Sequence, residues 1–181
     1  MSSHRPFQSA PLRIKLNSID FAIQFAKALG AKVVVFSHSA NKEKDARDLG
    51  ADDFVLTSEK DFAKKYFSSL DYILSAADAA KLPISDLVST LKVGGNFTSV
   101  GLPDDNWTDL HPMALMSSAA SIGATHIGSK KEAYQMLDLA AKKGIKPIID
   151  EILPMSQAGK AIEAVKNNTV RYRYVLKNDL D

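Results

Sequence analysis

Residues 32–36, Lys-Val-Val-Val-Phe, place four apolar side chains in a row with no alternation. A strand with one wet face alternates apolar and polar residues. An unbroken, β-branched run this short suits a strand covered on both faces, as in a parallel sheet between layers of helices. Ahead of the run, Phe21, Phe25 and Leu29 recur at helical spacing with Ala22 and Ala26 beside them. They predict a helix with that apolar face, which Gly30 stops. Behind the run, Ser37-His38-Ser39-Ala40-Asn41-Lys42 leads into a second helix that ends at Gly50. Open α/β sheets bind ligands at the carboxyl ends of their strands, so residues 37–42 are the first candidate site.

The rest of the chain repeats the alternation. Leu12, Ile14 and Leu16 alternate with Arg13 and Lys15, which predicts a half-exposed strand inside an atypical lead-in of residues 1–19. Residues 1–11 are polar and expected to be mobile, and Asn17-Ser18 can cap the following helix. Further strands are expected at 54–56, 71–74 and 96–100, and helices at 60–67 and from Pro83 as N1, with Leu87, Val88 and Leu91 on the apolar face. Gly94-Gly95 reads as a turn, and Gly101-Leu102-Pro103 as a break. Residues 119–127 return to the sheet. A helix over 130–143 carries Ala133, Met136, Leu137 and Ala140 on one face and stops at Gly144. A strand at 147–152, a helix over 156–166 and a strand at 172–176 form a tail outside the sheet. The pattern predicts an α/β fold, a Rossmann-type doubly wound parallel sheet over residues 20–145, with the tail at 146–181.

Composition narrows the function. The net charge of +2 gives no footprint for nucleic acid. The absence of cysteine removes disulfides, thiolate metal sites and cysteine nucleophiles, and fits a cytoplasmic protein. No apolar run approaches the roughly 18 residues of a membrane span. Residues 1–11 contain no secretory h-region. His4 and His111 have no partners at metal-ligand spacing, and H-E-x-x-H, G-x-S-x-G and P-loop motifs are absent. No tyrosine is followed four residues later by lysine, which excludes the short-chain dehydrogenase pair.

Seven segments stand in an order that carries a family likeness: AIQFAKALGAKV, SHSANKEKDA, LGADDFV, DYIL, LKVGGNFTSVGLP, HIGSKKEA and VRYRYVL. Over residues 20–177 the chain resembles the C-terminal half of medium-chain, zinc-dependent alcohol dehydrogenases, most closely their cinnamyl alcohol dehydrogenase branch. The resemblance implies an NADP-dependent alcohol or aldehyde oxidoreductase lineage, cofactor domains that pair into a homodimer, and a tail derived from the catalytic domain. Zinc is expected for the family, but its cysteine ligands and the domain that carries most of them have no counterpart, so no metal-binding and no catalytic residue is assigned. The family's G-x-G-G-x-G falls on Ile14-Lys15-Leu16-Asn17-Ser18-Ile19, without one glycine. Those glycines permit the tight turn and the close approach of pyrophosphate. The expectation is therefore a truncated chain with weak NADP(H) binding and no turnover of its own. The alternative is a non-catalytic nucleotide-binding or protein-interaction module.

Residues 36–41 contain no acid to accept from a ribose 2′-OH. Hydroxyls and an ammonium suit a 2′-phosphate instead. The resemblance maps the phosphate contacts onto Ser37, His38 and Lys42, with Ser39 between them. The plain alternative is a polar turn with a capping serine. By resemblance, Gly101 lies near the nicotinamide ribose, Thr125, His126 and Ile127 hold the nicotinamide amide, and Arg171 reaches the pyrophosphate. Their structural alternatives are a turn, a surface histidine and a solvated edge-strand arginine.

Overall fold

The computed structural model describes residues 11–15, 19–76, 82–101, 106–107, 109–167 and 169–179. Two compact units divide the chain, Met1–Ile145 and Lys146–Asp181.

In the first unit the apolar run becomes β2 (Lys32–Ser37), and its alternate side chains feed two different cores. Val33 and Val35 pack with Ile23 and Ala26 of α1 (Ile19–Ala28) and Ala46 of α2 (Glu43–Asp48). Val34 and Phe36 pack on the opposite face with Ile84, Leu87 and Val88 of α3 (Ile84–Ser89), against which Ala114 and Leu115 of α4 (Pro112–Ser118) lie. All four run residues are fully buried, as a doubly covered strand requires. Six parallel strands form the sheet: β1 (Pro11–Lys15), β2, β3 (Asp53–Leu56), β4 (Leu70–Ser75), β5 (Leu91–Ser99) and β6 (Ser121–Ala124). Their spatial order, β3-β2-β1-β4-β5-β6, is that of dinucleotide-binding folds. A helix α5 (Lys130–Lys143) closes the unit, with a capping box between Ser129 and Glu132 at its start.

Several expectations change. The strand assigned to the lead-in is β1 at the centre of the sheet, paired with β2 on one side and β4 on the other. The sheet therefore starts upstream of residue 20. The lead-in before it, the cap at Asn17-Ser18 and the break at Leu102-Pro103 lie outside the described residues. The buried face of α1 is Ile23 and Ala26, whereas Phe21 and Phe25 are half-buried and stack on each other at 6.0 Å. Small residues let a helix approach a sheet closely, and the two rings are displaced to its flank. Leu91, expected on the helix, opens β5, and the chain passes through Gly94 (φ +76°) as an irregularity within the strand. Pro83 occupies the position just before α3. The helix expected over 60–67 is one 3₁₀ turn, Lys64–Tyr66. The helix stops at Gly30 and Gly50 hold: each glycine has positive φ, and Ala31 N–H donates to Ala26 O as Ala51 N–H does to Ala46 O.

The second unit is a strand-helix-strand motif: β7 (Glu151–Pro154), α6 (Ala158–Lys166) and β8 (Tyr174–Lys177), with β7 and β8 parallel. It forms a sheet of its own, and its strands begin a few residues later than expected.

Asp53, at the start of β3, ties the β3–β4 connection to the sheet. Its carboxylate accepts from Lys65 Nζ, Tyr66 Oη and the Phe54 N–H. Burial alone would raise its pKa, but these donors outweigh burial and bring it down to about 2. Burial and the Asp53 charge together push the Tyr66 hydroxyl well above its ordinary value. Because the folded-state pKa of Asp53 is depressed, its contribution is present above the unfolded value and is lost as pH falls toward the folded value. The shift corresponds to roughly 2 kcal/mol at neutral pH. Urea unfolding of Asp53→Asn should show a deficit of about that size at pH 7, narrowing between about pH 5 and pH 2. A deficit independent of pH would mean that the carboxylate charge does not supply it.

Candidate functional site

The sheet order places a topological switch point between β1 and β4, whose connections leave toward opposite faces. The carboxyl edge beside it is fixed by register: Lys15 pairs with Ser75, and from there the small residues Ser75, Ser99 and Ala124 stand opposite one another in turn. The β2–β3, β4–β5 and β5–β6 ladders extend one step past their strands. Thr57 N–H donates to Ser37 O, Val100 N–H to Ser75 O and Thr125 N–H to Ser99 O, at 2.8–3.0 Å. Serine thus closes β2, β4 and β5, and all three serines are buried.

At the end of β2, Ser37 Oγ accepts from the Ser39 N–H at 3.2 Å and lies 3.3 Å from Ser39 O, to which it donates. Ser37 is only 1% exposed, so its hydroxyl shapes the turn from within. His38 is exposed and Ser39 half-buried. The plain reading of Ser39 as a helix cap does not hold, because its hydroxyl donates to Asn41 Oδ1 at 2.8 Å and makes no capping bond. Residues 40–42 form a 3₁₀ turn that ends on Lys42 just ahead of α2. Lys42 is half-buried, and burial pulls its ammonium below the ordinary lysine pKa. Among the described residues no carboxylate pairs with it, although Glu43 and Asp48 nearby are engaged by Arg47 and Lys44. The turn that follows β2 therefore carries a partly desolvated cation, a hydroxyl and an imidazole within five residues, a set suited to an anionic group such as a phosphate monoester.

The other candidates separate into two groups. Gly101 follows β5, and its carbonyl accepts weakly from Ser99 Oγ at 3.4 Å. Thr125, His126 and Ile127 follow β6 at the sheet edge and are exposed, Ile127 by 82%. These four share the carboxyl edge with residues 37–42. Arg171 belongs to the second unit, where its N–H donates to Asp150 and its guanidinium lies over the Tyr172 ring. His111 caps α4 by accepting from the Met113 N–H through Nδ1. Among the described residues, no three His, Asp or Glu side chains converge on a point that could hold a metal.

Sequence reading missed Ser75 and Ser99. Their signal was a small hydroxyl residue closing each buried strand, which is weak without the sheet order. Among the described residues, Ser75 Oγ and Trp107 Nε1 are buried side-chain atoms that lack a hydrogen-bond partner. The fingerprint turn runs from β1 to α1, and its residues 16–18 lie outside the described residues.

A profile of the family described as zinc-binding dehydrogenase matches residues 20–142. The chain is 36% identical over 156 residues to NADP-dependent alcohol dehydrogenase 6 of Saccharomyces cerevisiae, covering 83% of this chain and 42% of that protein. It is equally similar, at 36% over 156 residues, to the mannitol dehydrogenase of Apium graveolens, covering 86% and 42%. Among solved structures, a cinnamyl alcohol dehydrogenase of Sorghum bicolor superposes with a TM-score of 0.83 at 30% identity, over 92% of this chain and 47% of that one. The chain thus spans less than half the length of these relatives.

Proposed function

This chain belongs to the zinc-binding dehydrogenase family, and on that premise we propose that its first unit binds NADP(H) across the carboxyl edge of the sheet. In this reading His38, Ser39 and Lys42 meet the 2′-phosphate, and Ser37 holds their turn in shape. Gly101 lies against the nicotinamide ribose, and Thr125, His126 and Ile127 receive the nicotinamide amide. Arg171 belongs to the second unit and is left out of this site. The observation that carries the proposal is Lys42: a half-buried ammonium at a β2 terminus, without a carboxylate partner among the described residues. A carboxylate here would claim the ribose 2′-OH of NADH, and residues 36–41 contain none.

The lineage is that of NADP-dependent alcohol and aldehyde oxidoreductases of the cinnamyl alcohol dehydrogenase kind. The zinc of such an enzyme polarises the substrate oxygen, and the residues present do not fit it. The chain has no cysteine, and its described histidines and carboxylates do not cluster. The reading for these residues is accordingly a cofactor-binding module, with residues 146–181 assigned to the family's catalytic domain. Titration with NADPH and NADH tests it. The expected result is weak binding with NADPH preferred, and no turnover of an aromatic aldehyde with or without added zinc. Turnover that survives a chelator, or equal affinity for the two cofactors, would overturn it.

A second reading concerns self-association. β6 is an edge strand, paired with β5 alone, and no residue of α5 is buried, with Met136 47% and Leu137 56% exposed. Unpaired edges and contiguous apolar faces favour association. A homodimer through this edge, in the cytoplasm, is the arrangement proposed. Neither a membrane nor a nucleic acid is assigned as partner, and no described helix is long and apolar enough to cross a membrane. A sedimentation coefficient that stays monomeric at high concentration would remove the dimer.

A further inference from the structure

Ser75 is fully buried, and its hydroxyl has no hydrogen-bond partner among the described residues. Such groups are rare in folded proteins because they lose water without gaining a replacement. Its position is specific. Side chains two residues apart on a strand share a face. Ile73 and Phe97 belong to the core beneath α3. Ser75 and Ser99 therefore lie on that same face, opposite each other in register, one step nearer the carboxyl edge. Ser99 directs its hydroxyl to Gly101 O, and Ser37 directs its own to the Ser39 backbone. Of the three serines that close strands along this edge, Ser75 alone has no hydrogen-bond partner among the described residues. It is also the one on β4, beside the switch point.

Ser37 stands two strand positions from Ser75, across β1, or about 10 Å at ordinary strand spacing. A dinucleotide whose phosphate monoester sits at the β2 end and which crosses the switch point brings its other half over β4 and β5. That half carries small polar groups, the ribose hydroxyls and the carboxamide. We propose that Ser75 is a further cofactor-binding residue, its hydroxyl hydrogen-bonding the nicotinamide-nucleoside half when that half inserts at the end of β4. This rests on the NADP(H) reading above. The residue is destabilising in the free chain and becomes satisfied in the complex.

Two ligands separate the claims. Adenosine 2′,5′-bisphosphate carries the 2′-phosphate and lacks the nicotinamide half, whereas NADPH carries both. Ser75→Ala should raise the thermal midpoint of the free chain by about 2–4 °C, because it removes an unpaired buried hydroxyl. It should weaken NADPH by about three- to tenfold, the loss of one hydrogen bond, and leave the bisphosphate unchanged. Calorimetric titration reads both ligands. A raised midpoint with unchanged NADPH affinity would overturn the proposal, as would a parallel loss of both ligands. Binding of the bisphosphate with no added affinity for NADPH would overturn the role of Ser75 and leave the phosphate site standing. Failure of the unsubstituted chain to bind either ligand would overturn both.

Discussion

Lys42→Glu is expected to lower the affinity for NADPH by about tenfold to a hundredfold, the range of a charge-assisted hydrogen bond, and to shift the preference toward NADH. Two effects act in the same direction. The phosphate monoester loses a cation whose water is already partly stripped. It then meets a carboxylate in the same 3₁₀ turn. For NADH the new carboxylate can accept from the ribose 2′-OH, so its binding holds or improves. The fold should be indifferent. Lys42 makes no ion pair with the described residues, and its neighbours Glu43 and Asp48 keep Arg47 and Lys44. The unfolding free energy should therefore change by no more than about 0.5 kcal/mol. Titration of both cofactors into both proteins, with urea unfolding alongside, checks the result. If both cofactors bind equally and the substitution changes neither, the 2′-phosphate is not seated here.

Phe36→Ala should destabilise the first unit by about 3–5 kcal/mol, a large share of the roughly 5–15 kcal/mol that holds a typical domain folded. Phe36 is fully buried in the middle of the core beneath α3. Its ring meets Phe62 at 6.2 Å and Tyr66 at 5.8 Å, both edge to face. Truncation leaves a cavity between the sheet and the β3–β4 connection, and the two remaining rings cannot close it without moving the Asp53 tie that holds Tyr66. Because Ser37 follows directly in β2, the candidate phosphate turn should loosen as well, so NADPH affinity falls with stability. Urea unfolding followed by circular dichroism measures the loss. A cost below about 1 kcal/mol would mean that the connection collapses onto the vacated space, contrary to ordinary core behaviour.

Much of the fold was legible locally. Val33 to Phe36 announced a strand covered on both faces, and two glycines with positive φ marked the ends of the helices on either side. Such signals depend on a few neighbouring residues and on backbone sterics that any context obeys. The segment from Ser37 to Lys42 was legible as a candidate site for the same reason, since a strand end and its side-chain chemistry can be read in order. The seven family segments extended that reading to Gly101 and Thr125.

What the sequence by itself determined was the alternation of elements, the strand ends and the absence of any cysteine ligand. Tertiary structure decided the rest, because it depends on which distant segments meet. Leu12 and Ile14 alternate with charged neighbours and read as a half-exposed strand. Pairing with residues 32–35 and 72–75 makes that strand the centre of the sheet. The two phenylalanines of α1 dominate its local pattern, yet the sheet accepts the smaller Ile23 and Ala26, since packing distance decides which helix face fits. Ser75 looked like one small residue among several at a strand end. Register alone sets it opposite Ser99 and beside the switch point, and only the tertiary environment shows that its hydroxyl has no partner among the described residues. Periodicity reports which residues could be buried, whereas burial and hydrogen bonding are properties of pairs far apart in the chain.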